Sequence, residues 1–218
     1  MNARQFHRVW IGAACIAACA LLTGAAEQSA IPLPAPKMEG GKPLMQTLKE
    51  RKSTKEYRAQ NLTNEILSNL LWAAYGINRP DSGKRTVASA KNMQEIDLYV
   101  AAADGAFLYD AAANQLKKIV GDDLRKKSGG GSFAGVAAVE LIYVADFSKS
   151  GGKSDADKFS YAAITTGGAI QNVYLLCASE NLGAVTHVCG DPAALAQALG
   201  LKPEQHIIMS QTVGYPAQ

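Results

Sequence analysis

The segment from Val139 to Leu182 constrains the fold more than any other part of this 218-residue chain. It opens on Val139-Glu140-Leu141-Ile142-Tyr143-Val144, whose length and β-branched content predict a buried central strand despite the one charge. Phe159 to Leu182 follows as a long helix. Gly167 and Gly168 sit inside it, where each costs roughly 1 kcal/mol against alanine. They therefore point to close backbone packing against another element or another subunit. The 48% hydrophobic content is ample for a buried core, and one folded domain is expected.

The remaining elements fit around that core. Leu44, Met45 and Leu48 suit a short helix over 44–50. Thr63 is a reasonable N-cap for a helix carrying Ile66, Leu67, Leu70, Leu71 and Ala74 on one face, with Gly76 at its end. Ile96 to Val100 alternates as a strand, Asp104-Gly105 signals a hairpin, Ala106 to Tyr109 returns, and Gln115 to Val120 adds a further strand. Asp122 to Lys127 followed by Gly129-Gly130-Gly131 reads as an exposed helical turn and a flexible loop. Asp191-Pro192 starts a short helix through Leu199, and a last strand, Ile207 to Val213, runs into Gly214-Tyr215-Pro216. Helices flanking mostly antiparallel strands give an α+β class.

The N-terminus differs in composition. Arg4 and Arg8 precede an apolar run from Val9 to Leu22 that ends in Thr23-Gly24-Ala25-Ala26, the order of a signal peptide. Residues 1–26 are read as that signal, cut after Ala26, with lipid processing at Cys19 as the rival route to an exported protein. Residues 27–42, with Pro32, Pro34 and Pro36, read as an extended linker ahead of a domain over 43–218. Cys15 and Cys19 fall within the signal, which leaves Cys177 and Cys189; Cys177 reads as a small buried thiol rather than half of a disulfide. Neither cysteine has metal-ligand spacing with His187 or His206, and no metal is expected. The net charge of +3 is dispersed without aromatic interleaving, so no nucleic-acid partner is expected.

Chemistry concentrates in Arg51-Lys52-Ser53-Thr54-Lys55, which offers a planar fork, two ammonium groups and two hydroxyls within one short turn. That set suits a phosphate and its neighbouring hydroxyls. Taken alone, it also reads as a solvated surface turn.

Leu48 to Tyr57 resembles the opening segment of the nitroreductase family of FMN enzymes, in which a basic-basic-Ser stretch follows the first helix. Ala73 to Pro80 is similar to that family's helix end and turn, and Arg85 to Glu95 to its Ser-x-x-Asn-x-Gln segment. Gly167 to Leu175, then Asn181 to Val185, resembles its long helix and the turn after it. The resemblance implies a nitroreductase-like α+β fold, an intertwined homodimer, and FMN at an interface between the two copies. It implies that Arg51 and Ser53 hold the flavin phosphate and ribityl chain with Lys52 and Lys55 nearby. Asn92 then sits beside the ring or ribityl hydroxyls, Ser89 reaches the flavin from the partner, and the backbone of Cys189 and Gly190 faces the flavin N5. His187, entering that turn, reads as a hydrogen-bonding core residue rather than a catalytic acid. Many relatives carry basic residues after the corresponding Gly-Tyr-Pro, which this sequence does not, so phosphate binding is expected to rest on Arg51, Lys52, Ser53, Lys55 and Arg85.

The function implied is an FMN-dependent oxidoreductase that passes a hydride between a donor such as NAD(P)H and a small electron-poor acceptor, with no side chain as catalyst. Export leaves other reductants open, as well as oxidation with electrons leaving to oxygen or a quinone. The alternative is an exported binding protein of the same fold that has lost flavin.

Overall fold

A computed structural model describes residues 30–217. The expected signal peptide, its cut after Ala26, Cys15 and the rival lipid site Cys19 lie outside the described residues. In chain order the main elements are β1 (Ala30–Pro32), α1 (Leu44–Glu50), α2 (Asn64–Tyr75), β2 (Ile77–Arg79), β3 (Lys84–Arg85), β4 (Ile96–Ala102), β5 (Gly105–Asp110) and β6 (Gln115–Val120). They continue with β7 (Val139–Asp146), α3 (Asp155–Ser179), β8 (Gly183–His187), α4 (Pro192–Leu199) and β9 (Gln205–Gly214). Seven strands form one antiparallel sheet in the order β1-β6-β5-β4-β7-β9-β8, and β2 and β3 make a separate short pair. The expected α+β class, with a mostly antiparallel sheet flanked by helices, is the fold found.

β7 is central, as its composition predicts, and its alternating side chains feed two cores. Leu141, Tyr143 and Ala145 pack with Leu70 and Leu71 of α2 and Ala169 and Val173 of α3. Ile142 and Val144 point the other way, toward Tyr99, Leu124 and Leu195 of α4. A strand covered on both faces reads as a continuous apolar run, and Glu140 interrupts it: the carboxylate is fully buried and lies opposite Thr212 of β9 in register.

α3 starts at Asp155 instead of Phe159 because Ser154 and Asp157 form a reciprocal capping box that satisfies the first backbone donors. It stops at Ser179, and Asn181, with a φ of 58°, reverses the chain into β8. Along its length α3 touches, in turn, Glu95 through Thr165, α2 through an Asn172 amide bond to Ala73 O at 3.0 Å, and the basic segment through Tyr174. Asn172 thus braces two helices of one chain. Of the paired glycines, Gly168 packs close, since a Cβ there would stand 2.8 Å from Val87, while Gly167 faces open space.

Two expectations are corrected. The described part of the Pro-rich linker is extended but docked: β1 pairs with β6, and Leu33 N donates to Asn114 O at 3.0 Å. Its prolines are compatible with an edge strand, where one side needs no donors. The turn after Asp122 is not exposed as a whole, because Leu124, Arg125 and Ser128 are buried, with Arg125 held by Asp123 and by Ala137 O.

Asn114 ties the docked segment down through bonds to Pro34 O at 2.8 Å and Ser68 Oγ at 3.1 Å, and it adopts a left-handed φ of 46°. Asn114→Gly keeps that backbone and removes the side-chain bonds, so urea unfolding is expected to show a loss of roughly 1–2 kcal/mol. An unchanged unfolding free energy would mean that Asn114 does not hold this segment.

Candidate functional site

The basic run is a ribbon fixed at both ends. Arg51 N caps α1 by donating to Thr47 O at 2.8 Å, and the chain then runs extended. Ser53 bridges Ala184 of β8 in parallel, and Thr54 N donates to Ala184 O at 2.9 Å. Further on, Tyr57 bridges Pro216, flanked by bonds from Arg58 N to Tyr215 O and from Ala217 N to Glu56 O. Tyr174 of α3 joins the pieces. Its hydroxyl accepts from Thr186 N at 2.9 Å and lies 3.3 Å from Ser53 Oγ, while the Arg51 guanidinium lies over its ring at 5.2 Å.

Among the described residues, no carboxylate lies within ion-pair distance of Arg51, Lys52 or Lys55, whereas Lys42 is tied to Glu50 at 2.8 Å. Three uncompensated cations on one ribbon create a positive field. A cavity of about 930 Å³ opens beside Lys52 and Lys55, with Ser53, Tyr174, Glu50 and Glu56 also in its wall; Arg51 does not line it and faces the Tyr174 ring. That is the size of a cofactor cleft.

β8 leads from this ribbon to the turn at Val188–Gly190, and the three steps from Ala184 to His187 span roughly 10 Å. The turn is cradled by the glycine loop. A Cβ on Gly129 would stand 2.8 Å from Val188 O and 3.1 Å from Gly190 N; one on Gly130 would stand 2.9 Å from His187 Nε2. Both glycines also have positive φ, so no other residue closes this approach easily. Among the described residues no acceptor meets the N–H of Cys189 or Gly190. Cys189 Sγ lies 3.8 Å from Lys127 O, and burial holds its thiol above the usual range; it is not bonded to Cys177, which is deep in the core. Under the turn, His187 bonds Glu140 and Thr212.

Ser89 and Asn92 stand elsewhere in the single chain, grouped around Gln94. Ser89 Oγ accepts from Gln94 N at 3.0 Å, and the Gln94 amide donates to Gly83 O and to Asn92 Oδ1. Lys91, Asn92 and Gln94 have φ values of 51°, 56° and 50°, a cluster of backbone strain of the kind that accumulates at ligand-binding segments. Val87, just before this group, packs on Gly168, six residues or about 9 Å along α3 from Tyr174. One chain therefore gathers Arg51, Lys52, Ser53 and Lys55 and links them through β8 to Cys189 and Gly190. It holds Ser89 and Asn92 farther along α3.

Arg85 is corrected as a phosphate ligand. Its guanidinium donates to Tyr75 O at 2.7 Å and Gln94 Oε1 at 2.8 Å and covers the Tyr75 ring, so it supports the strained segment. Tyr174 carries no signal in the sequence, and Gln94 appears there only as the last residue of the Ser-x-x-Asn-x-Gln motif; the roles of both come from tertiary contacts. Glu140 did carry a signal, as the one charge in an otherwise apolar strand. Among the described residues, no group of three His, Cys, Asp or Glu side chains could hold a metal.

The model of the Nitroreductase family matches residues 48–215. A nitroreductase-family protein of Methanocaldococcus jannaschii is 30% identical over 153 residues, covering 66% of this chain and 77% of its own. A solved nitroreductase-family structure from Ralstonia eutropha is 37% identical with a TM-score of 0.83, covering 89% of this chain and 92% of that one. A third, from Desulfovibrio desulfuricans and solved in complex with FMN, shares the fold at a TM-score of 0.59 and 22% identity, over 82% of this chain and 89% of its own. With the matched segment running from the basic ribbon to the last strand, this chain belongs to the nitroreductase family.

Proposed function

We propose that this protein is an FMN-dependent oxidoreductase. The observation that carries the reading is the fixed ribbon of uncompensated cations joined by β8 to a turn with free backbone donors. The FMN complex of the Desulfovibrio relative supports it. The residues present fit the cofactor. Arg51 and Ser53 offer a guanidinium fork and a hydroxyl for the phosphate and the first ribityl oxygens, and Lys52 and Lys55 add charge. Removal of a side chain at Gly129 and Gly130 leaves the turn close-packed from behind, with the Cys189 and Gly190 N–H groups available for a ring nitrogen.

Held there, FMN would supply hydride-transfer chemistry between a donor such as NAD(P)H and a small electron-poor acceptor. The chain's own residues bind and orient. The ribbon would neutralise phosphate charge, and the backbone donors at Cys189 and Gly190 would offer hydrogen bonds to electron density on the cofactor.

We also propose a homodimer. Ala163, Ile164, Gly167 and Gln171 form an exposed, mostly small and apolar stripe on α3, with Ile164 74% exposed, and α1 exposes Leu44 and Met45. Apolar side chains at this exposure favour burial against a second copy. Ser89 and Asn92, held away from the ribbon in one chain, then complete a flavin site from the partner or along α3.

Arg51→Ala is expected to weaken FMN binding by about ten- to a hundredfold, the value of a charge-assisted phosphate contact of roughly 1.5–3 kcal/mol. Fluorescence titration with FMN reads it, and unchanged affinity would remove the ribbon from the site. Ile164→Asp is expected to shift the sedimenting species from dimer to monomer, because it places a charge in the centre of an apolar contact. A variant that sediments as the wild type places the interface elsewhere.

A further inference from the structure

The Glu140–His187 pair lies under the Val188–Gly190 turn, in a closely bonded cluster with Thr212. Glu140 is fully buried and the His187 side chain is only 13% exposed. The two carboxylate oxygens meet His187 Nε2 at 3.1 Å and the Thr212 hydroxyl, which lies 3.0 Å from the same Nε2. The other ring nitrogen, Nδ1, lies 3.2 Å from Val188 O. With Thr212 donating to Glu140, both ring nitrogens face oxygen acceptors. With Glu140 ionised, a neutral imidazole would turn a lone pair toward one of them, and only the imidazolium donates on both sides. The buried carboxylate supplies the compensating charge that such a cation needs. Phe133 closes the remaining side, meeting the ring edge-on at a centroid distance of 6.0 Å.

Val188 O is the point at which this cluster touches the cofactor turn. A peptide unit whose carbonyl is held inward presents its N–H outward, and that peptide's N–H belongs to Cys189. We propose, resting on the flavin reading, that His187 is a positioning residue: clamped between Glu140 and the Val188 carbonyl, it orients the turn so that the Cys189 amide faces the cofactor.

The groups that face the pair come from three other elements. They are Thr212 on β9, Arg125 and Ser128 ahead of the glycine loop, and Tyr57 on the basic ribbon. Arg125 is itself paired with Asp123. Burial opposes a charge on His187, but the hydrogen bond and charge of Glu140 outweigh it and hold the imidazole above its ordinary value. Burial raises the Glu140 carboxyl as well, so the pair retains its proton as pH rises. A group raised on folding contributes below its unfolded value and loses that contribution as pH passes its folded one. The turn is therefore held through the ordinary imidazole range and released above it.

The test combines two titrations of the purified protein between about pH 5 and pH 9, the window of imidazole chemistry. NMR of the His187 ring without FMN is expected to place its midpoint above the ordinary value, and lower in Glu140→Gln. Fluorescence quenching of added FMN is expected to show affinity falling about tenfold as pH rises through that midpoint, the scale of one charge-assisted hydrogen bond. His187→Gln is expected to bind FMN more weakly and to lose that step, while retaining any change from ionisation of the phosphate near pH 6. Glu140→Gln risks the fold, and the wild-type titrations need no variant. A His187 that titrates at or below the ordinary value, or a His187→Gln protein with wild-type FMN affinity and pH profile, overturns the proposal while leaving the flavin reading intact. A wild-type protein that takes up no FMN at any pH overturns both.

Discussion

Burial of β7 on both faces is the constraint from which the rest of the molecule follows. Its odd-numbered side chains commit α2 and α3 to one face of the sheet, and Ile142 and Val144 commit α4 and the Leu124 turn to the other. With α3 fixed, Tyr174 falls where its hydroxyl can bridge Ser53 and β8. The charged ribbon is positioned by this contact and by its backbone bridges, not by its charges, which repel one another and find no carboxylate partner among the described residues. A cluster of like charges costs free energy unless an anion neutralises it. The fold thus holds in place a group of cations that a phosphate would stabilise.

Glu140 shows how the same strand serves two ends. An unpaired carboxylate buried in the sheet would be strongly destabilising, and His187 and Thr212 convert it into a satisfied network. That network lies directly beneath the turn with free amides, and the glycines at 129 and 130 admit it there. A feature that looks like a defect in an apolar strand is therefore part of the support for the site.

Most regular elements were legible in the sequence because periodicity and caps are local. Thr63 and Gly76 bound α2, Asp191-Pro192 opens α4, and Asp104-Gly105 turns the hairpin between β4 and β5. What local pattern could not reveal depends on partners distant in sequence. The docking of β1 uses backbone groups that leave no mark in side-chain periodicity. Arg85 looks like any surface cation until Gln94 and Tyr75 are seen around it. The site was legible in part: the ribbon through its residue types, and the family through several weak motifs in order, matched over residues 48–215. Tyr174, which joins the ribbon to β8, carried no signal, since a tyrosine in a long apolar helix is ordinary core material.

If the charged ribbon and the Val188–Gly190 turn hold a flavin, the purified protein absorbs visible light near about 450 nm, the band of oxidised flavin, bleaches on addition of a reductant and releases FMN on heating. A colourless protein that remains so after incubation with FMN would contradict a flavin site there.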